Sequence, residues 1–322
     1  MRYRTLGRDG PALSVVGFGA WALGGPWAWG WGRQDDRQSI AALHRALDAG
    51  VNWIDTAPAY GLGHSELLVG RVLRQRADRD RIVVATKCGL WADGRRDLYD
   101  LRPQTIRREV DESLRRLGAE AIDLFQLHWP DWQTGTPIEA SWAAMAALAD
   151  AGKVRRLGVS NFDVALLERC ERIRHVDALQ PPLSLIDRSA LEVLLPWCVA
   201  HGTGAICYSP MQSGLLSGAF SEQRLAELAR DDWRRRDEQF QEPRLSANLA
   251  VAESLRPIAA RYGVSVAVVA VAWVAAQTGV TAAIVGARKA SQVDGWLGAA
   301  DLVLDADDLA ALDGAVPGTL VG

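Results

Sequence analysis

The sequence lacks most features of secreted, membrane-spanning or metal-binding proteins. Its four cysteines, at positions 88, 170, 198 and 207, form no Cys-x-x-Cys pair, so neither a disulfide framework nor a structural zinc site is expected. The N-terminal segment MRYRTLGRDG has no apolar core and is unlike a signal peptide. The longest apolar run, residues 266–276, is far shorter than the roughly 20 residues of a membrane helix. These absences predict a metal-free cytoplasmic protein with no membrane partner.

Strong charge of either sign is also missing. The 36 basic and 39 acidic residues leave a net charge of −3, which argues against a nucleic-acid partner because phosphate binding needs a concentrated basic face. The one basic run, residues 234–236, is flanked by acidic residues and is interpreted as a solvated loop. No Gly-x-Gly-x-x-Gly motif follows any predicted strand, which disfavours a doubly wound dinucleotide-binding sheet.

What the sequence does contain is eight short β-branched runs that alternate with amphipathic helical segments. The predicted strands are 15–18, 51–55, 82–86, 122–127, 154–159, 178–183, 204–208 and 282–285. Asp36 is the predicted N-cap of the first helix, and Ser65 the predicted cap of the second. Eight strand–helix units predict a (β/α)8 TIM barrel that occupies residues 1–322 as a single domain. A turn at residues 8–10 predicts an N-terminal β-hairpin that closes the barrel bottom. The long polar segment 211–245 is typical of a lid or a disordered insertion.

Polar side chains follow the predicted strands where a barrel carries its function, at the carboxyl ends. Asp55, Lys87 and His128 end strands two to four, and Tyr60 follows Asp55 by five residues. Taken singly, such an Asp is usually a cap, such a Lys is usually solvated, and such a His is usually half-buried and satisfied. Together they indicate a site, because a Lys that leaves the buried run IVVAT needs a partner, which Asp55 supplies. The ammonium is expected to lower the pKa of Tyr60 and make it a competent proton donor or acceptor.

The ordered motifs NWIDTAPAYG, ATKCG, LFQLHWPD, GVSNF, CYSPMQSGLLSG and AIVGARK, within residues 52–289, resemble those of the aldo-keto reductase family. The resemblance implies a catalytic tetrad of Asp55, Tyr60, Lys87 and His128. It also implies hydride transfer from a nicotinamide to an aldehyde or ketone, with Tyr60 giving the proton. Spacing alone does not name the nicotinamide.

The same resemblance implies a set of cofactor contacts. Ser160, Asn161 and Gln180 would hold the carboxamide, and Tyr208, next to Ser209, would stack on the nicotinamide ring. The further positions implied are Gly19, Trp21, Gly214, Leu215, Ser217, Gly286, Arg288 and Gln292. Arg288, assisted by Lys289, suits a 2′-phosphate, which predicts NADPH. The sequence departs from the family at Trp296, where an Asn that contacts adenine is usual; a Trp there could only stack.

Thirteen tryptophans are many for this length. Eight of them fall in loops predicted to open on the catalytic face: Trp21, Trp27, Trp29, Trp31, Trp91, Trp129, Trp132 and Trp233. They predict an aromatic cup over substrate or cofactor, and the alternative is self-association of the same patch in a homo-oligomer. Trp53, Trp142, Trp197 and Trp273 are expected in the core.

The leading hypothesis is an NADPH-dependent reductase of small carbonyl substrates. One alternative is NAD-linked oxidation of a sugar or cyclic polyol, with Tyr60 as the base. Another is a cofactor-sensing regulatory subunit that turns over slowly.

Overall fold

A computed structural model describes residues 1–27, 29–93, 96–230 and 232–315. Its strands are β1 (Tyr3–Thr5), β2 (Ala12–Ser14), β3 (Val16–Gly19), β4 (Trp53–Asp55), β5 (Val83–Cys88), β6 (Leu90–Asp93), β7 (Arg96–Tyr99), β8 (Ile122–Leu127), β9 (Val154–Ser160), β10 (Ala178–Gln180), β11 (Gly204–Cys207) and β12 (Val280–Gly286). All but β1, β2, β6 and β7 form a closed barrel of parallel strands, in the order β10-β11-β12-β3-β4-β5-β8-β9. The predicted (β/α)8 barrel is therefore confirmed, and no predicted strand end is displaced by more than three residues.

Helices follow the barrel strands in sequence. The α-helices are α1 (Asp36–Asp48), α2 (His64–Arg74), α3 (Pro103–Leu117), α4 (Ile138–Asp150), α5 (Val164–Glu171), α6 (Ser189–Glu192), α7 (Leu194–His201), α8 (Glu222–Ala226), α9 (Arg244–Ser254), α10 (Arg256–Tyr262), α11 (Val266–Ala276), α12 (Ala290–Leu297) and α13 (Ala306–Gly314). Helix α11, the longest apolar run, is buried almost throughout because it packs between the barrel and its neighbours. Within the described ranges, no single helix passes a length-and-hydropathy test for a membrane span; the bent pair Arg244–Tyr262 and Val266–Ala276 passes it jointly.

The N-terminal hairpin lies at the end of the barrel opposite the catalytic strand ends. Strands β1 and β2 pair antiparallel, with Tyr3 opposite Ser14. Leu6 and Leu13 are buried in one cluster with Trp53 and Ile206, which belong to the barrel strands. The predicted hairpin is thus confirmed, and its apolar side chains seal the barrel interior against water.

Two helix caps differ from their predictions. Asp35, not Asp36, caps α1, because the Asp35 carboxylate accepts the N–H of Arg37, while Asp36 pairs with His64 at 2.9 Å. Ser65 does not cap α2, whose N-cap is Gly63. The Ser65 hydroxyl is buried and instead forms hydrogen bonds with Ala20 and Thr56, beside the active site.

Candidate active site

The centre of the site is an ion pair between neighbouring strands. Lys87 near the end of β5 donates hydrogen bonds from Nζ to both carboxylate oxygens of Asp55 at the end of β4, each at 2.8 Å. The same ammonium lies 3.1 Å from the backbone oxygen of Thr56. Lys87 is fully buried and Asp55 is 3% exposed. Burial lowers the pKa of Lys87, and the Asp55 carboxylate opposes that shift.

Tyr60 is the fourth group that the Lys87 side chain contacts, after the two Asp55 oxygens and the Thr56 carbonyl oxygen. Lys87 Nζ lies 3.1 Å from the Tyr60 hydroxyl. Burial of the phenol, with a smaller contribution from the Asp55 charge, raises the pKa of Tyr60 well above its ordinary value. The expected lowering of this pKa is therefore wrong. Since Asp55 neutralises the ammonium at 2.8 Å, desolvation decides the outcome. Tyr60 is a protonated phenol at neutral pH.

A close approach of two loops fixes the backbone that carries Tyr60. Gly61 has a φ of +64°, and a Cβ there would stand 2.0 Å from the carbonyl oxygen of Gly24, in the loop after β3. The Ser65 hydroxyl donates to the carbonyl oxygen of Ala20 at 2.9 Å and contacts the hydroxyl of Thr56 at the same distance. These contacts bind the loops after β3 and β4 together around the phenol.

His128 completes the group. Its backbone N–H donates to the carbonyl oxygen of Cys88 at 3.0 Å, and its ring meets the Tyr60 ring edge-on with centroids 5.8 Å apart. Burial and the Lys87 ammonium lower the pKa of His128 well below its ordinary value, so the imidazole is neutral. The structure thus brings together all four residues of the tetrad that the sequence predicts.

The sequence analysis missed a second buried carboxylate beside Lys87. Glu66, on α2, accepts a hydrogen bond at 2.6 Å from the hydroxyl of Thr86 and another at 2.6 Å from Nε of Arg116. Its charge favours the ammonium form of Lys87. The signal was present in the sequence, since Glu66 interrupts the apolar face that Val69 continues one turn later.

The three residues predicted to hold a carboxamide also lie together, but the bonds they make were not foreseen. Asn161 has a φ of +62°, and its Nδ2 donates to the backbone oxygen of His128 and to Ser160 Oγ, each at 3.0 Å. Asn161 Oδ1 accepts from the Tyr208 hydroxyl at 2.8 Å. Gln180 Nε2 donates to Asp55 Oδ1 at 2.8 Å. These amide and hydroxyl groups suit a planar ligand that both donates and accepts, provided that it replaces some of these internal bonds.

The segment after β11 forms a strained turn. Ser209, Gln212 and Ser213 have positive φ values of 58°, 43° and 51°, and Gly214 has a φ of 104°. Non-glycine residues adopt such angles at a cost, so runs of them mark functional turns. The backbone N–H groups of Gly214 and Leu216 both donate to the carbonyl oxygen of Met211, at 3.0 and 3.1 Å, which closes this turn on itself. Leu215 is fully buried, backbone included. The Ser217 hydroxyl donates to the Gly214 carbonyl oxygen at 2.6 Å.

Arg288, two residues after the end of β12, already makes hydrogen bonds within the protein. Its Nε donates to Oε1 of Gln34 at 2.6 Å, and its backbone N–H donates to Oε1 of Gln292 at 2.7 Å. Gly286 and Lys289 are exposed beside it. Trp296, by contrast, is 2% exposed within the core, so the stacking role considered for it is wrong.

Arg234 is the second residue that the sequence analysis missed. Its guanidinium makes a two-point contact with the Asp232 carboxylate at 3.0 and 2.7 Å, and it also donates to the backbone oxygen of Ser213 at 3.3 Å. It lies 4.2 Å from the ring centroid of Trp31. The interpretation of run 234–236 as a solvated loop is wrong for Arg234, which is 8% exposed.

Aromatic side chains pack beside Tyr60 of the tetrad and beside Arg234. Trp21 packs against Trp31 and Trp233, with ring centroids 6.1 and 5.7 Å apart. The ring centroids of Trp27 and Tyr60 are 6.0 Å apart. Tyr99 contacts Trp132 with ring centroids 4.3 Å apart and ring planes tilted by 42°, and it meets Trp129 edge-on. The four tryptophans predicted for the core, Trp53, Trp142, Trp197 and Trp273, are all buried. Gly19 pairs with Gly286 and Asp55 across strands β3, β12 and β4.

Among the residues that the structure describes, no group of three or more His, Cys, Asp or Glu side chains is placed to hold a metal ion. The polar groups described at the site are instead amides, hydroxyls, the His128 imidazole, the Arg288 guanidinium and the two buried ion pairs Lys87–Asp55 and Arg234–Asp232.

Comparisons with known proteins agree with this geometry. The model of the aldo/keto reductase family matches residues 15–317. The aldo-keto reductase YhdN of Bacillus subtilis is 38% identical over 296 residues, which cover 91% of this chain and 87% of that protein. The NADH-specific methylglyoxal reductase of Escherichia coli is 34% identical over 306 residues, which cover 91% of both.

Two solved structures are also similar. The glycerol dehydrogenase of Gluconobacter oxydans superposes with a TM-score of 0.87 at 38% identity, covering 97% of this chain and 94% of that one. An aldo-keto reductase of Bacillus halodurans superposes with a TM-score of 0.81, covering 98% and 97% of the two chains; at 24% identity this likeness concerns the fold alone.

Proposed function

The chain belongs to the aldo/keto reductase family of NAD(P)H-dependent oxidoreductases, and we propose that it reduces small aldehydes and ketones with Tyr60 as the proton donor. One observation carries the proposal. The hydroxyl of Tyr60 lies 3.1 Å from Lys87 Nζ, in a buried site that keeps the phenol protonated. A general acid needs a proton to give and a neighbour that stabilises the anion it leaves, and this pair provides both.

Each residue of the tetrad has its own role in this reaction. A bound nicotinamide would supply the hydride. Tyr60 gives its proton to the carbonyl oxygen of the substrate, and the Lys87 ammonium then stabilises the phenolate through its hydrogen bond. Asp55 holds that ammonium at a fixed distance. His128, which is neutral, orients the carbonyl oxygen without competing for the proton.

The side chains beside the tetrad have the chemistry to hold a nicotinamide dinucleotide. Ser160, Asn161 and Gln180 offer amide and hydroxyl groups to the carboxamide, and Tyr208 an aromatic face to the ring. The turn at 213–217 would hold the pyrophosphate, with phosphate oxygens replacing the Met211 carbonyl oxygen as acceptor of the Gly214 and Leu216 N–H groups. The buried Arg234 adds a cation at that turn.

Within that fit, we propose that NADPH is the preferred cofactor. Burial, with a smaller contribution from Arg234 that Asp232 opposes, lowers the pKa of Arg288, and a dianionic 2′-phosphate beside its guanidinium would favour the charged form. The Escherichia coli relative is named as NADH-specific, so this choice needs a direct test. Fluorescence titration should show NADPH binding at least about tenfold tighter than NADH. Arg288→Ala should remove most of the difference and leave NADH binding almost unchanged. Equal affinities in the wild type would overturn the choice.

A second candidate is the reverse reaction, NAD-linked oxidation of a polyol, which the similarity to a glycerol dehydrogenase favours. Oxidation needs Tyr60 as a base. Because the pKa of Tyr60 is raised, the phenolate is scarce at neutral pH, and oxidation should accelerate as the pH rises towards 10. Reduction should not lose activity over the same range through Tyr60.

One experiment separates the two directions. Aldehydes, ketones and polyols are assayed at pH 7 with NADPH, NADH and their oxidised forms. The proposal predicts that carbonyl reduction with NADPH has the highest kcat/KM. Polyol oxidation that exceeds every reduction at pH 7 would replace the proposed direction. The absence of turnover on the whole panel would reject the enzymatic assignment of this site.

A further inference from the structure

A buried carboxylate lies at the base of the β6–β7 hairpin and takes no part in the proposed proton transfer. Glu109, on α3, is fully buried. Its Oε2 accepts a hydrogen bond from the backbone N–H of Gly89 at 2.8 Å, and its Oε1 accepts from the indole N–H of Trp91. Gly89 and Trp91, which supply these two N–H groups, come two and four residues after Lys87 in the chain. Glu109 therefore fixes the chain at the point where the catalytic strand ends and the hairpin begins.

The hairpin supplies part of the apolar wall beside the phenol. Leu90 packs in a small buried cluster with Tyr60. Leu90 also stands between Gly89 and Trp91, the two residues that Glu109 binds. Its position against Tyr60 therefore depends on the two hydrogen bonds to Glu109.

The surroundings of Glu109 are poor in charge. The described titratable groups that face it are Cys88 from β5, and Arg108 and Glu112 from its own helix. Arg108 Nη2 lies 3.8 Å from the Glu109 carboxylate on a side chain that is 59% exposed, so water screens it. Burial raises the pKa of Glu109 to about 7, although its hydrogen bonds oppose the shift.

We propose that Glu109 is a positioning residue for the substrate pocket, whose carboxylate holds the start of the β6–β7 hairpin and whose protonation releases it. The reason is the number of hydrogen-bond acceptors that the Glu109 side chain offers in each protonation state. Two N–H donors need two acceptor oxygens, and the carboxylate supplies both. Once protonated, Glu109 is neutral and keeps one good acceptor oxygen, so both bonds lose their charge assistance and one of the two N–H groups loses its acceptor. The substrate pocket then loses the fixed position of Leu90.

This inference rests on the proposed function where it concerns substrate binding, and the first experiment measures that. Steady-state reduction of the best aldehyde of the panel is followed from pH 5.5 to 8.5 in the wild type, Glu109→Gln and Glu120→Gln. Glu120 is an exposed carboxylate beyond the end of α3 and serves as the matched control. In the wild type, KM should rise about 3- to 30-fold as the pH falls through 7, with little change in kcat. Glu109→Gln should have the high KM at every pH, because an amide offers one acceptor at any pH.

Hydrogen–deuterium exchange tests the same inference without any substrate. The peptide 88–101 is compared with the barrel strand 122–127 after correction for the intrinsic pH dependence of exchange. The wild-type peptide should be less protected at pH 6 than at pH 8, and Glu109→Gln should be poorly protected at both. This measurement needs no catalysis, and the wild type alone suffices if the Gln variant does not fold.

The two experiments fail in different ways. Protection of 88–101 that does not depend on pH in the wild type overturns the inference. So does a Glu109→Gln variant whose KM follows the wild-type pH profile. An inactive wild type with pH-dependent protection rejects the proposed function and leaves the hairpin anchor standing.

Discussion

Gln180 Nε2 donates to Asp55 Oδ1 at 2.8 Å, the same oxygen that accepts from Lys87 Nζ at 2.8 Å. The hydroxyl of Ser160 donates to the backbone oxygen of Gln180 at 2.9 Å. The residues proposed to hold the nicotinamide and the ion pair behind Tyr60 therefore form one hydrogen-bonded network. A change at Gln180 should reach the proton donor as well as the cofactor.

Replacing Lys87 by Met should impair both stability and turnover. It leaves the Asp55 carboxylate buried without its partner, which typically costs about 3–5 kcal/mol. It also removes the cation that stabilises the Tyr60 phenolate. Denaturant unfolding and kcat measure the two effects. Lys153→Met is the matched control, since Lys153 pairs with Asp111 on the surface. A Lys87→Met variant with wild-type kcat and pH profile would show that Lys87 is only structural.

Gly61→Ala should reduce activity by moving the loop that carries Tyr60. The added Cβ would stand 2.0 Å from the Gly24 carbonyl oxygen, on a residue with φ +64°. Gly152→Ala is the control for the backbone strain alone, because Gly152 has φ +73° and nothing within 4 Å of its added Cβ. Both variants should lose about 1 kcal/mol of stability from the left-handed backbone, and only Gly61→Ala should lose kcat. Equal kcat values for the two would contradict this account of how Tyr60 is positioned.

Arg234→Met should weaken the binding of both cofactors about tenfold, since one charge-assisted bond at the proposed pyrophosphate turn is lost. Arg236, two residues on and exposed, provides the control Arg236→Met, which should bind both cofactors as the wild type does. Isothermal titration measures the dissociation constants. If Arg234→Met binds NADPH and NADH with unchanged affinity, the buried Asp232–Arg234 pair has a purely structural role.

The four thiols should be inert in the folded protein. Cys88, Cys170, Cys198 and Cys207 are all buried. Burial raises the pKa of Cys170 and of Cys198 to about 12, and raises those of Cys88 and Cys207 as well. Because only the thiolate is alkylated at a useful rate, iodoacetamide at pH 8 should leave the native mass unchanged and add four groups after denaturation. Rapid native alkylation at any of the four would contradict this burial.

The strand pattern made the barrel predictable, because most barrel strands are short apolar runs with a polar residue at or shortly after the carboxyl end. The tetrad followed, since parallel strands bring those ends to one edge: Asp55 and Lys87 meet although 32 residues separate them. The cap of α1 at Asp35 and the engagement of Ser65 away from the start of α2 were less predictable. A one-residue shift of a helix start, or a hydroxyl drawn to a neighbouring loop, costs too little to leave a mark in the sequence.

What the sequence could not supply was the balance of burial and charge. A positive neighbour was expected to lower the pKa of Tyr60, but Asp55 cancels that charge and desolvation prevails. Arg234 was taken for a surface residue because its neighbours in the chain are charged; only the fold shows that Asp232 and Trp31 enclose it. Glu109 likewise acquires its role from its distance to Gly89, which no local pattern encodes.

The central claim, that Tyr60 gives the proton, is tested most directly by Tyr60→Phe in single-turnover reduction alongside a cofactor titration. The substitution removes one oxygen and leaves the ring that packs against Leu90 and Trp27. The rate of the chemical step should fall about 10²- to 10⁴-fold, and the NADPH dissociation constant should stay within about twofold of the wild type. A variant that keeps more than about a tenth of the wild-type rate would contradict the account, because the proton would then come from another group.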